Sequence, residues 1–183
     1  MIRAALDLFT TRGFHDSTTP EIAKKAGIAE GTIYRHFPSK TSLLNELYRG
    51  ATELFTSVLV DSANLPTCRE RMSRIAQRWR EIAGRDPALA KLVFVSPPTG
   101  LFDARSREFQ ARFRSEVEKV LASGKASGEI RAGSVSVWAD VWLQLIILTL
   151  DRIAKGDWEP DHPAVRQVAE SAWDAIAAPT SHD

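Results

Sequence analysis

The chain has 183 residues, 44% apolar and 26% charged, with a formal net charge of +1, so it can bury a real core as one large or two small domains of ordinary globular composition. One cysteine excludes an internal disulfide framework and no early apolar run has signal-peptide form, which makes cytoplasmic residence the default expectation. Charge alone does not argue for a nucleic-acid partner, since residues 1–50 hold seven Lys or Arg against five Asp or Glu and the remainder seventeen against eighteen.

Thr18 and Glu21 have the spacing of a capping box, and Pro20 falls in the first turn, where its missing N–H costs nothing. A helix starts there, runs through Ile22 and Ala23 to Ala26, and ends at Gly27, which supplies the left-handed or otherwise strained backbone. With only Ile28 and Ala29 intervening, a second helix over about Glu30 to Phe37 must leave at a steep angle, packing through Ala23, Ile28 and Ile33. This is the spacing of a helix-turn-helix. Gly31 holds nothing away from the backbone, and Thr32, Tyr34, Arg35 and His36 follow as donors of different reach, a face suited to a major groove. Pro38 stops the helix and Ser39 is placed to cap the next. Lys40 sits in that helix's first turn, where N–H groups and an ammonium can share a phosphate. The same pattern also fits a helical hairpin whose Tyr34 and His36 are surface residues of an amphipathic helix.

Beyond Tyr48 every segment reads as a helix, with neither strand alternation nor an internal repeat. The helix from Lys40 continues through Leu43, Leu44, Leu47, Leu54 and Val58 to about Asn64, joining the first unit to the rest. After Pro66, Thr67 and Glu70 form a second capping box, and Met72, Ile75, Ala76, Trp79, Ile82 and Ala83 make a core stripe. Arg71, Arg74, Arg78 and Arg85 lie mostly off it as a solvated face. A shorter helix over Pro87–Val95 leads into the loop Ser96–Gly100. The next helix, about Phe102 to Ser123, carries Phe109, Phe113, Val117, Val120 and Leu121 and ends at a polar linker, Gly124 to Gly133.

Ser134 to Lys155 is apolar around nearly its whole circumference, which predicts burial on all sides. Its run of about 16 residues, broken by Asp140 and Gln144, is short of the ~20 that a membrane span needs. The last helix, about Pro163 to Ala178, repeats Val165, Val168, Ala169, Ala172, Trp173 and Ile176. An all-round apolar helix followed by an amphipathic one calls for a partner surface, most simply a second copy. Cys68 follows a cap residue beside Arg69 and Arg71, conditions that lower a thiol pKa. His15, His36, His162 and His182 lack metal-ligand spacing, and no catalytic set or phosphate-cradling loop appears. Neither an enzyme nor a cofactor is expected.

The run Ile2–Tyr48, IRAALDLFTTRGFHDSTTPEIAKKAGIAEGTIYRHFPSKTSLLNELY, resembles the DNA-binding domain of the tetracycline-repressor (TetR) family of bacterial transcription regulators. The resemblance rests on AALDLF, Gly13-Phe14, Glu21-Ile22-Ala23, Ala26-Gly27, Gly31-Thr32-Ile33-Tyr34, His36-Phe37, Ser39-Lys40 and Leu43-Leu44. It implies DNA contacts from Thr18, Gly31, Thr32, Tyr34, His36 and Lys40, with Thr19 and Arg35 as additions. Two features depart from that family's pattern. Ala29 stands where a capping Ser is usual, and Met1 lies directly against the first helix, where members usually carry further, often basic, residues.

The resemblance implies an all-α protein with a three-helix helix-turn-helix domain over residues 1–48 and a helical effector-binding and dimerisation domain over residues 49–183. It further implies a homodimeric repressor that leaves a near-palindromic double-stranded DNA operator when a small molecule binds. The last two long helices would pair across the dimer, setting two recognition helices about 34 Å apart. We take Trp142, Ile146, Leu150, Ala169, Ala172 and Trp173 as the expected interface. Trp79, Phe94, Phe102, Phe109, Phe113, Trp138 and Trp142, with Asp140, Gln144 and Thr149 as polar groups, are the expected pocket, and the aromatics equally describe an ordinary core. Asp140 and Gln144, four residues apart on one helix face, call either for a ligand or for a structural partner such as an arginine.

Overall fold

A computed structural model describes residues 1–179, so His182 lies outside the described residues. It contains nine α-helices: α1 (Ile2–Thr11), α2 (Thr19–Ala26), α3 (Glu30–His36), α4 (Lys40–Asp61), α5 (Cys68–Arg85), α6 (Pro87–Ala90), α7 (Ala104–Ala126), α8 (Val135–Lys155) and α9 (Pro163–Ile176). The fold class is all-α, as the sequence predicts. Both predicted capping boxes form, at Thr18/Glu21 and at Thr67/Glu70, and Gly27 ends α2 at φ 66°. None of the helices among the described residues is long and apolar enough to cross a membrane.

Helices α1–α3 surround Leu8, Ile22, Ile33 and Leu43, and α4 leaves this cluster to enter the larger bundle of α5–α9. The boundary expected at residue 48 therefore falls inside α4, which is continuous across it. The centre of the bundle is aromatic. Trp79 is fully buried, donates its indole N–H to the Phe55 carbonyl at 3.0 Å, and lies 5.3, 5.4 and 5.8 Å from the ring centres of Phe94, Phe113 and Trp142.

Three local departures from the sequence reading have physical causes. The segment expected as one helix over Pro87–Val95 becomes α6 followed by a π-helical turn, Lys91–Val95, whose wider winding buries Leu92, Val93 and Phe94 in succession. Gly124 does not end α7. Cys68 and Ile130 occupy the space a Cβ would need there, so it is a packing glycine, and the chain turns at Gly128 with φ 79°. Helix α8 is not buried all round: Val137 and Leu148 are 51% and 41% exposed, and Asp140 and Gln144 are exposed beside them. Among the described residues no further element covers that face.

After α9 the chain is strapped back to the α7–α8 loop. Arg131 N–H donates to Ile176 O at 3.0 Å, Ala178 N–H donates to Glu129 O at 2.8 Å, and the Arg131 guanidinium reaches Ala177 O and Asp174 O. Glu129 also accepts from the Cys68 and Arg69 amides, capping α5 from outside it.

Cys68 is buried, which overturns the activated-thiol reading. Burial first, and then the Glu129 carboxylate, push the thiol from its ordinary value of 9.0 up to about 11. Because the folded state favours the neutral thiol, its stabilising contribution is complete below pH 9.0 and is lost as pH rises toward about 11. Folded protein is expected to resist iodoacetamide at neutral pH while urea-unfolded protein reacts at once, and a Cys68→Ala variant should lose less stability between pH 9 and 11 than the parent. Rapid alkylation of the folded chain would contradict this placement.

Candidate nucleic-acid interface

The reading unit is built by the turn between α2 and α3. Thr18 caps α2: its hydroxyl accepts from Glu21 N–H at 3.4 Å, while its own N–H and O–H both donate to the Glu21 carboxylate at 2.9 Å. These hydrogen bonds, chiefly the one from the Thr18 hydroxyl, hold the Glu21 carboxyl below its ordinary value. Helix α3 lacks a side-chain cap at Ala29, as its sequence implies, and starts on a backbone bond from Thr32 N–H to Ala29 O at 3.0 Å. Its inner face is Ile33, fully buried with Ile22 and Ala23 of α2, while Ile28 packs against them from the turn.

A hydrogen-bonded bridge fixes the angle of α3. The Thr19 hydroxyl lies 2.8 Å from both the Glu30 carboxylate and the Tyr34 hydroxyl, joining the first turn of α2 to the first two turns of α3. Two placements follow. Glu30 turns back onto α2 and accepts a hydrogen bond there. Thr19, expected as a DNA contact, is buried and spends its hydroxyl on this bridge, so it orients Tyr34.

The outward face of the unit carries Thr18, Gly31, Tyr34, Arg35 and His36, all exposed, with Thr32 half-buried at its edge. Tyr34 is 49% exposed although its hydroxyl is held, which presents a fixed ring edge to solvent. No atom lies within 4 Å of where a Gly31 Cβ would stand, so another molecule can approach the backbone closely there. Lys40 is half-buried. Its ammonium donates to Phe14 O at 2.7 Å and Ser17 O at 2.6 Å and sits 4.2 Å from the Phe14 ring centre. It thus latches the α1–α2 turn onto α4, a role that no local pattern in the sequence reveals, and leaves one ammonium N–H free.

The residues expected to line an effector pocket do not converge on one space. Trp79, Phe94, Phe113 and Trp142 pack on one another, and Phe102 stacks on Tyr48 at 4.0 Å. Phe109 is half-buried on α7, and Thr149 is buried, with its hydroxyl donated to Leu145 O. Trp138 lies at the α7–α8 loop under the Arg131 guanidinium, against Gly133. Asp140 and Gln144 are exposed, which corrects the expectation of a buried polar pair. Asp140 has found an arginine: Arg114 of α7 pairs with it and with Glu118, and that hydrogen bond lowers the Asp140 pKa.

The expected interface also shifts. Trp142, Ile146, Leu150 and Ala172 are buried within the single chain and have no surface to offer a second copy, while Ala169 and Trp173 are half-buried on the side of α9 that faces α5. The stripes that the chain leaves partly or wholly exposed are Val137, Val141, Gln144 and Leu148 on α8, with Val141 half-buried, and Ala164, Val168, Ser171 and Ala175 on α9, where only Ser171 is fully exposed.

A short helix held against another by a glycine turn, with its polar outer face free and a helical body behind it, defines a helix-turn-helix DNA-binding regulator. Residues 1–47 match the family model of bacterial regulatory proteins, tetR family. That match makes residues 1–47 the DNA-binding domain of the TetR family of transcriptional regulators, which are DNA-binding proteins and not enzymes. The chain is similar to the fatty acid metabolism regulator protein of Bacillus subtilis (strain 168), with 28% identity over 156 residues, 82% of this chain and 78% of that protein. Its fold matches a TetR family transcription regulator from Marinobacter aquaeolei VT8 with a TM-score of 0.81 at 22% identity, over 97% of this chain and 94% of that one. It also matches the regulator FadR from Bacillus subtilis, solved in complex with stearoyl-CoA, with a TM-score of 0.79 at 23% identity over 96% and 97% of the two chains.

Lys40→Met removes two charge-assisted hydrogen bonds, each to a main-chain carbonyl. It should destabilise the chain by about 1–3 kcal/mol in urea unfolding and weaken binding to every DNA duplex alike. The salt dependence of binding separates the latch from a phosphate contact: the slope should stay close to that of the parent, whereas loss of a full phosphate contact would lower it by about 0.9.

Proposed function

We propose that the protein is a homodimeric repressor of the bacterial cytoplasm that occupies a near-palindromic operator and leaves it when a long-chain fatty acyl-CoA binds. The observation that carries this reading is the pairing of an open polar face on α3 with an uncovered apolar stripe along α8 and α9 of the same chain. Residues 137, 141, 144 and 148 repeat at intervals of four, three and four, as do 164, 168, 171 and 175, the spacing of two helices that meet their symmetry mates in a four-helix bundle. In the dimer, Thr18, Gly31, Thr32, Tyr34, Arg35 and His36 meet the DNA. Thr19 and Lys40 hold the unit that carries them.

The effector class comes from the relatives: one is a fatty acid metabolism regulator, and the similar FadR fold holds stearoyl-CoA. This chain has the means to couple such a ligand to DNA. Asp103, at the start of α7, receives Arg49 of α4 at 3.1 Å, and its main-chain N–H donates to Asn45 Oδ1 at 3.0 Å. Asn45 in turn donates to Leu101 O, and Arg49 also reaches Ser106. An acyl chain that parts Phe94, Phe113 and Trp142 displaces α7, and this polar latch carries the displacement into α4 and the reading unit.

Two experiments test the reading. Selection from random duplex DNA at fixed near-physiological salt should enrich an inverted repeat, and stearoyl-CoA should then lower affinity for that repeat by roughly 5–150-fold, while free CoA leaves it unchanged. A response to neither would remove the acyl-CoA effector, and no enrichment would remove the operator. Leu148→Glu places a charge in the proposed stripe without touching the core, so sedimentation should show a folded monomer whose operator affinity is lost. A Leu148→Glu dimer with parental affinity would place the interface elsewhere.

A further inference from the structure

On the side of α9 away from the proposed dimer stripe lies a cleft of about 260 Å³, walled by α5, α8 and α9. Its floor is Met72 and Trp142, one wall is the Trp173 indole, and three guanidinium groups line it: Arg69 and Arg80 from α5 and Arg166 from α9. None of the three has a carboxylate or carbonyl partner among the described residues, although Glu170 stands one turn from Arg166 on the same rim. This is unlike most of the chain's arginines. Arg49, Arg78, Arg112, Arg114 and Arg152 sit on carboxylates, and Arg71 and Arg131 on main-chain carbonyls. Arg80 is the telling one, because it is half-buried beside apolar side chains with its charge unmet. Three positive charges around one cleft, against a single carboxylate, favour an anion there.

We infer that this cleft binds a small organic carboxylate with a flat apolar body. The guanidinium fork matches a carboxylate in a bidentate pair, and the half-buried Trp173 indole offers an apolar surface for a ring or a short planar chain. The cleft's apolar lining, Met72, Ala76, Ala169 and Trp173, takes the body of the ligand, and the guanidinium groups take its charge. The site opens on the α9 side of Trp142, and that indole is the one side chain it shares with the aromatic core invoked for an acyl chain. On α9 its residues 166, 169, 170 and 173 lie about half a helical turn from 164, 168, 171 and 175, so a dimer leaves it open.

The test is a titration of the full-length protein with phenylacetate, read by tryptophan emission and by calorimetry, with inorganic phosphate and benzyl alcohol as comparison ligands. Phenylacetate should bind saturably at one site per chain, and Arg80→Met and Arg166→Met should each weaken it by about tenfold or more without changing the melting curve. Trp173→Phe should remove most of the emission change while heat is still released. Arg78→Met, on the other side of α5 and paired with Glu81, should bind as the parent does. Absence of saturable binding, unchanged affinity in both cleft arginine variants, or tighter binding of phosphate than of phenylacetate would each overturn the inference. Neither DNA nor acyl-CoA enters the measurement, so its failure leaves the regulatory reading standing.

Discussion

Everything in this molecule is hung on α4. It has buried residues at both ends, with Leu43, Leu44 and Leu47 in contact with the three-helix unit and Phe55, Val58 and Leu59 in the bundle, and it is one unbroken helix of 22 residues between them. A continuous helix cannot absorb a displacement at one end without moving the other, because bending it breaks consecutive hydrogen bonds. The polar groups attached to α4 stand where a hinge would otherwise form. Lys40 ties its first turn to the α1–α2 turn, and Asn45 and Arg49 tie its second and third turns to the start of α7. The reading unit is therefore oriented by hydrogen bonds that are geometrically specific, on top of apolar contacts that are not.

The same division of labour recurs inside the reading unit. Ile22 and Ile33 supply burial, but two short helices packed through small apolar faces can rotate on one another at little cost. The Thr19 bridge to Glu30 and Tyr34 removes that freedom. It also accounts for a carboxylate in the first turn of a helix that faces DNA: with its oxygen engaged by Thr19, Glu30 stabilises the helix N-terminus and is turned away from phosphates. This arrangement depends on placed groups and not on bulk charge, which explains how a chain of net charge +1 can belong to a DNA-binding family.

What was legible in the sequence is what local chemistry decides. The capping boxes at Thr18 and Thr67, the stop at Gly27, the missing cap at Ala29 and the core stripe of α5 each depend on residues a few positions apart, and each is found as expected, except that Ile82 is only half-buried. Features decided by distant residues were not legible. Gly124 looks like a helix stop until Cys68, from another helix, is seen to fill the space above it. Lys40 looks like a free phosphate ligand until the Phe14 and Ser17 carbonyls close on it. Cys68 looks activated by its arginine neighbours until burial and Glu129 reverse the sign.

Helix α8 shows why periodicity phases some helices and not others. An amphipathic helix carries its own phase, because its polar residues mark the outward side. A helix apolar around its circumference does not, and the phase must come from what packs on it. Here Trp142 and Ile146 turn inward, Trp142 meeting Trp79 at the aromatic centre of the bundle, so the neighbouring helices set the phase that the sequence of α8 does not carry. Val137, Leu148 and the two polar residues, Asp140 and Gln144, are left outside. Asp140 then becomes useful where it was thought costly: paired with Arg114 at the edge of the open face, it joins α7 to α8 without occupying the apolar stripe.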